Sequence, residues 1–399
     1  MTDVEPGNEP QIVEFLRWAL SEEAPVELIG NGSKRRLGSP VQAAHTLSTR
    51  AMTGITLYEP EELVLRALPG TTIAEIETAL AAQNQMLAFE PPDWGPLFGM
   101  PAKTGTLGGA IGCNLTGPRR VRFGAARDHI LGFRAVNGRG ESFKSGGRVM
   151  KNVTGYDLPK LMAGSMGTLA AMTEITLKVL PRAEKMRTVL LYGLDAEAAN
   201  AALVRALQMP FEVTGAAFLP ANIASASGVD LVRGAGASVT AIRLEGAPES
   251  TSDRCTRLRA LMREATNALD EELHGTRSAA FWTEIADVAP LLPDPAATIL
   301  RLSVPPASGA RALLRTKALC GCKGYLDWGG GAVWLAGLNG AALATAAQAA
   351  IAETGGVVQP IRNAAPGMML AGLVAPDELA RAIKAAFDPK FILNPGRMG

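Results

Sequence analysis

Apolar residues from Ile12 to Leu20 fall at helical spacing, and up to about Pro181 short apolar runs alternate with clusters of glycine. Val26–Ile29 reads as a short strand that runs into Gly30-Asn-Gly-Ser33. Leu63 to Leu68 reads as a strand stopped by Pro69-Gly70, and Thr72 to Ala82 as a helix with Thr72 as its cap. Strands alternating with helices predict an α/β domain.

Beyond about Glu184 the glycine clusters thin out and the rhythm changes. Arg187–Tyr192 reads as a strand, Ala196–Leu207 as a helix, Glu212–Leu219 and Ser238–Leu244 as strands, and Thr251–Leu269 as a long helix. The order then recurs: strand Thr298–Val304, helix Gly309–Leu319, strands Gly324–Trp328 and Ala332–Ala336, helix Ala341–Glu353 and strand Val357–Ile361. Two rounds of strand–helix–strand–strand–helix predict a ferredoxin-like layout with an antiparallel sheet. Residues 270–297, with Phe281-Trp282, fit neither round. From Pro376 a helix is expected, followed by the Pro- and Gly-rich loop Phe387 to Arg397.

Charge narrows the function classes. The chain has 399 residues with 39 Lys+Arg against 38 Asp+Glu, a net charge of +1, so there is no basic excess of the kind nucleic acid demands. Hydrophobic residues make up 47%, enough for a sizeable core. Of the 3 histidines, His45, His129 and His274, two have no second His, Cys or acid at ligand spacing, and His274 beside Glu271 and Glu272 reads as a solvated helix end, so no metal site is expected. Cys113, Cys255, Cys320 and Cys322 suggest cytosolic thiols, and Cys320-Gly-Cys322 alone cannot hold an iron–sulfur cluster. The acidic start lacks the features of a signal peptide, and no apolar stretch reaches the ~18 residues of a membrane span. A cytoplasmic protein is expected, membrane-associated at most through partners.

Candidate chemistry lies in the glycines. Gly30-Asn-Gly-Ser33, followed by Lys34, Arg35 and Arg36, offers backbone N–H groups and cations to a phosphate, although a plain surface turn reads the same way. Gly105-Thr-Leu-Gly-Gly-Ala-Ile-Gly112 lets backbone approach a bulky ligand, or simply starts a tightly packed helix. Asn152 to Leu158 and Gly164-Ser-Met-Gly-Thr168 are further candidates that also fit turns. The run Arg119, Arg120 and Arg122 reads as a solvated loop, and Trp328 and Trp334 as packing residues on strands.

In order and content these pieces resemble the PCMH-type FAD-binding domain of the vanillyl-alcohol-oxidase flavoprotein family. The residues that carry the resemblance are Gly30–Ser33, Leu68-Pro-Gly-Thr71, Gly105–Asn114, Arg122–His129, Gly155-Tyr-Asp157, Gly164–Leu169 with Glu174–Lys178, and Phe387-Asp-Pro…Asn394-Pro-Gly396. The resemblance implies an α+β protein: a PCMH-type FAD-binding domain of two α/β lobes over 1–183, a ferredoxin-like cap over 184–361, and a C-terminal segment, 362–399, returning to the flavin. It implies FAD contacts from Gly30, Asn31, Gly32, Ser33, Pro69, Gly70, Thr71, Gly105, Thr106, Gly108, Gly109, Gly112 and Asn114. Gly124, Asp128, Gly155, Ile175 and Asn394 would complete them. Relatives with covalent flavin carry a His where this chain has Ser33, so the FAD is expected to be non-covalent.

Arg301-Leu-Ser-Val-Pro-Pro306 and Asp327-Trp-Gly-Gly-Gly331 are similar to the FAD-binding subunits of bacterial glycolate oxidases. That similarity implies a role in oxidising glycolate, a small 2-hydroxy acid, beside a catalytic flavin subunit and an iron–sulfur subunit. Oxidation of a 2-hydroxy acid needs a hydride acceptor, a base for the hydroxyl proton and a cation for the carboxylate. Arg301 and Arg362 are the candidates for the cation, and no residue declares itself as the base. The alternatives are a stand-alone FAD-dependent D-2-hydroxy-acid dehydrogenase and a non-catalytic interaction subunit.

Overall fold

The computed structural model describes residues 2–148, 155–363 and 378–398. Its contacts divide the chain into two units. The first takes Met1–Thr116, Gly124–Arg182 and Val374–Gly399, and the second Gly117–Phe123 and Ala183–Leu373.

In the first unit a parallel sheet of order β1-β3-β2 is built from β1 (Thr2–Val4), β2 (Val26–Ile29) and β3 (His45–Ser48). Helix Glu9–Ser21 covers it by its apolar stripe Ile12, Leu16 and Ala19. Asn8 caps that helix, its Oδ1 accepting from Gln11 N at 3.1 Å. An antiparallel sheet follows, from β4 (Ile55–Glu59), β5 (Val64–Ala67), β7 (Ile130–Asn137), β8 (Ser142–Gly146) and β9 (Ala170–Lys178), in the order β4-β5-β9-β7-β8. A small pair, β6 (Gln85–Met86) with β10 (Leu180–Pro181), closes it. Helix Ile73–Ala81 begins with a capping box between Thr72 and Glu75 and buries Ile76 and Leu80 in the core of this lobe.

The C-terminal segment is built into the unit. Leu393 bridges to Val26 in parallel, Val26 N donates to Ile392 O at 2.8 Å, and Asn394 N donates to Val26 O at 2.9 Å. Buried Asp388 fixes the turn by accepting from Ile392 N (3.1 Å) and Leu393 N (2.8 Å) and pairing with Lys384.

The second unit is one antiparallel sheet of eight strands. They are β11 (Lys185–Tyr192), β12 (Val213–Leu219), β13 (Val239–Gly246), β14 (Asp270–His274), β15 (Thr298–Ser303), β16 (Lys323–Asp327), β17 (Ala332–Gly337) and β18 (Val357–Arg362), in the order β14-β11-β13-β12-β16-β17-β15-β18. Each half repeats the ferredoxin-like order, and the halves join where Phe218 of β12 pairs with Leu326 of β16. Helices Ala196–Gln208, Pro248–Thr266, Gly309–Cys320 and Gly340–Thr354 bury their apolar residues against Val189, Ile242, Leu300 and Val333 of the sheet. Strand alternation turns Arg243, Tyr325 and Arg301 the other way. Arg243 and Tyr325 there meet helix Gly275–Ala286 through Trp282 and Ile285.

Two segments differ from the sequence reading. Residues 270–286, left unassigned there, form edge strand β14 and a helix. Gly117–Phe123, placed by sequence in the first domain, packs with the second unit. Arg119 forms a bidentate pair with Glu245 (Nε–Oε2 3.0 Å, Nη2–Oε1 2.8 Å), Arg122 reaches Glu212 at 2.6 Å, and Trp328 Nε1 donates to Gly117 O at 3.2 Å. The basic run is therefore not a solvated loop, since two of its arginines pair with acids of this unit.

Candidate cofactor site

Two glycine loops of the first unit are fastened side by side. The loop after β2 reaches over by Asn31, whose Nδ2 donates to Thr104 O at 3.0 Å. Gly30 lies so near the second loop that a Cβ there would overlap Thr106 Oγ1. The second loop is pinned to Leu68–Thr71: Gly108 N donates to Pro69 O and Leu107 N to Thr71 O, each at 2.8 Å, and Thr106 caps the short helix Leu107–Gly112. Asn394 completes the frame from the C-terminal segment. Its Oδ1 accepts from Leu28 N at 2.7 Å and its Nδ2 donates to Met166 O at 2.7 Å.

Together these loops line a common cleft. Of the residues anticipated from sequence, Gly30, Asn31, Gly32, Ser33, Pro69, Thr106, Gly108, Gly109, Gly112 and Asn394 line it. The others lie outside its lining and have other work. Gly70 is wedged against the carbonyls of Thr49, Arg50 and Met52, and Thr71 Oγ1 accepts from Gly54 N at 2.9 Å. The carbonyl of Gly105 accepts from Ile73 N at 2.9 Å. Asn114 Oδ1 accepts from Arg127 N, Asp128 Oδ2 accepts from Ala125 N beside Gly124, and Ile175 is fully buried in β9. Gly155 is exposed, and the Asn152–Thr154 part of its motif lies outside the described residues.

The cleft also takes in Lys34, Thr49, Cys113, Met166, Gly167 and Arg397. Met166 and Gly167 belong to a glycine motif already quoted, whereas nothing in the local pattern marks Thr49. Three cations line the cleft, and two are committed elsewhere. Arg35 Nε donates to buried Glu27 at 2.9 Å. Arg397 donates to the carbonyls of Arg35, Leu37 and Ser39 at 2.8–3.1 Å and lies 3.4 Å from Glu27. Half-buried Lys34 donates to Ser33 Oγ at 3.0 Å. No carboxylate is within ion-pair distance of it among the described residues, and burial pushes its ammonium below the ordinary lysine value. Burial pushes the neighbouring Cys113 thiol up, which keeps it protonated. Glycine backbone, a seryl hydroxyl and an ammonium without an acid form a donor set that fits the phosphates of a dinucleotide.

The two arginines offered for a carboxylate lie in the second unit. Arg362 is spent on structure, donating to the carbonyls of Ala297 (3.2 Å) and Asp294. Arg301 stands over the rings of Trp328 (5.0 Å) and Trp334 (5.5 Å) and donates to Gln359, while its buried Nε has no hydrogen-bond partner among the described residues. Burial, with Arg120 nearby, pulls its guanidinium down to about 10. Arg120 flanks the same Trp328 ring at 4.8 Å. Trp328 itself holds a left-handed backbone, φ 53°, a conformation rare for so bulky a residue.

One unit with a parallel and an antiparallel sheet and a glycine-lined cleft, and a second unit with a doubled ferredoxin-like sheet, define the PCMH-type FAD-binding fold. Residues 2–146 match the family model described as an FAD binding domain. Glycolate oxidase subunit GlcE of Escherichia coli (strain K12) is 45% identical over 171 residues, 43% of this chain and 47% of that protein. Glycolate oxidase subunit GlcD of Bacillus subtilis (strain 168) is 30% identical over 188 residues, 47% of this chain and 38% of that protein. Among solved structures, 4-ethylphenol oxidase from Gulosibacter chungangensis superposes with a TM-score of 0.75 at 14% identity, over 100% of this chain and 88% of that one. The chain spans less than half the length of these two curated relatives, and the superposition speaks for the fold. The matched residues include both glycine loops of the cleft, and the chain is similar to PCMH-type FAD-binding proteins. No helix among the described residues is long and apolar enough to cross a membrane.

Proposed function

We propose that this chain is the FAD-binding subunit of a glycolate-oxidising complex and takes part in converting glycolate to glyoxylate. The observation that carries the reading is the glycine-lined cleft and its ammonium, in a chain similar to glycolate oxidase subunit GlcE. FAD, when bound, supplies the two-electron acceptance that oxidation of an alcohol requires. This chain's own part is to hold the cofactor by the Gly30–Ser33 and Thr106–Gly112 loops, with Asn394 locking the C-terminal segment against them. The cation for the substrate carboxylate is Arg301, whose Nε is left open and whose plane is fixed by two tryptophans. Its partners are a catalytic flavin subunit and an iron–sulfur subunit, which take the electrons onward.

The second reading, a stand-alone 2-hydroxy-acid dehydrogenase, is favoured by the same Arg301. One experiment separates them: the purified FAD-loaded chain is mixed anaerobically with glycolate, alone and with the two partner subunits. Bleaching of the flavin band only when the partners are present is the expected result. Bleaching of the chain alone would establish the stand-alone enzyme, and no bleaching in either case would overturn both.

A further inference from the structure

We propose that Lys34 is the counter-cation of the FAD pyrophosphate, a role that rests on the reading of the cleft as the FAD site. Three observations converge on this residue. It alone of the three lining cations is not shared with Glu27, since Arg35 and Arg397 both turn to that carboxylate. Among the described residues its ammonium hydrogen-bonds only to the Ser33 hydroxyl, which can accept but cannot neutralise its charge. The second loop makes room for it: a Cβ at Gly109 would stand 3.2 Å from Lys34 Cε and 3.4 Å from Nζ, so glycine at this position keeps the lysine in place. The other titratable groups near it are the Cys113 thiol, neutral when protonated, and Asp93, whose carboxylate accepts from Lys103 N and Gly95 N.

A cation held away from water without an acid is costly, and a protein keeps one where a ligand supplies the missing anion. The isoalloxazine ring of oxidised FAD is neutral, so the pyrophosphate is the part of the cofactor that answers a fixed positive charge. This separates Lys34 from the backbone donors around it. The glycine amides can bind any polar group, whereas the ammonium selects a phosphate-bearing ligand over one that ends at the ribityl chain.

The test titrates the apo form of the full chain with FAD, ADP and riboflavin, comparing wild type with Lys34→Met and Lys34→Gln. Affinity for FAD and ADP is expected to fall about 10- to 100-fold in both variants, the range of one charge-assisted phosphate contact, with riboflavin binding unchanged. The apoprotein variants are expected to melt at or above the wild-type temperature, because an unpaired cation has been removed, so weaker binding will not reflect misfolding. Equal loss of riboflavin affinity would place Lys34 against the ring and overturn the proposal, as would unchanged FAD affinity. A wild-type chain that binds no FAD would overturn the reading of the cleft and this role with it.

Discussion

Glu245→Gln is the sharpest perturbation available in the second unit. The Glu245 carboxylate is 8% exposed and accepts both Arg119 contacts, with Arg243 Nε 3.6 Å away. Burial alone would raise its pKa, but Arg243 and Arg119 outweigh that and hold it at about 2, against 4.5 for a free glutamate. A depression of that size corresponds to roughly 3 kcal/mol of stability at neutral pH. It agrees with the about 3–5 kcal/mol lost when one partner of a buried pair is removed. Fully buried Arg243, which also meets the Thr214 carbonyl (2.8 Å), the Thr214 hydroxyl and the Trp282 ring face (4.6 Å), would lose the charge of the Glu245 carboxylate. Because the folded pKa is depressed, the contribution is complete above pH 4.5 and is lost as the pH falls from there towards 2.

Thermal unfolding at pH 7 is therefore expected to drop by roughly 6–12 °C for a unit of this size, and the gap between variant and wild type should close below pH 4.5. Gly117–Phe123 should also become more susceptible to trypsin, since Arg119 loses the carboxylate it pairs with. A variant that melts within 1 °C of wild type at pH 7, or a gap at pH 3 as large as that at pH 7, would refute the network.

Gly30→Val should abolish flavin retention by driving a side chain into Thr106, with far-UV circular dichroism close to wild type; a yellow variant would show that the two loops need not touch. Acid precipitation should release the FAD into the supernatant, given Ser33 in the first loop and a protonated Cys113 in the second; colour in the pellet would reveal a covalent bond. Asp388→Ala should leave Ile392 N and Leu393 N without acceptors and cost about 2–3 kcal/mol. Limited proteolysis should then remove the C-terminal segment first and the flavin with it, and unchanged proteolysis would contradict the role given to Asp388.

Where hydrophobic period and turn chemistry agree, the sequence alone predicts the element: Val26–Ile29 is strand, Thr72 caps its helix, and both rounds of the ferredoxin-like pattern appear as drawn. Strand β14 escapes such a reading because Asp270-Glu-Glu-Leu-His274 buries only Leu273. Its acids are held by Arg259, Arg263 and Arg187, contacts remote from any local pattern. Gly117–Phe123 is hidden for the same reason, its partners lying 90 to 211 residues onward.

At the site, glycine clustering marks the loops but cannot separate residues that line the cleft from residues that shape it. Gly108 and Gly70 look alike in sequence, yet one borders the cavity and the other is wedged against backbone carbonyls. Lys34 reads as one of three neighbouring cations. Only the pairing of Arg35 and Arg397 with Glu27 shows which of the lining cations remains to meet a ligand.

Titration of the apo form of the chain with FAD, followed by flavin absorbance and fluorescence quenching, addresses the cleft most directly. Saturation at one FAD per chain, lost in Gly30→Val, is the predicted result. A wild-type chain that takes up no FAD, or one whose uptake survives Gly30→Val, would contradict it.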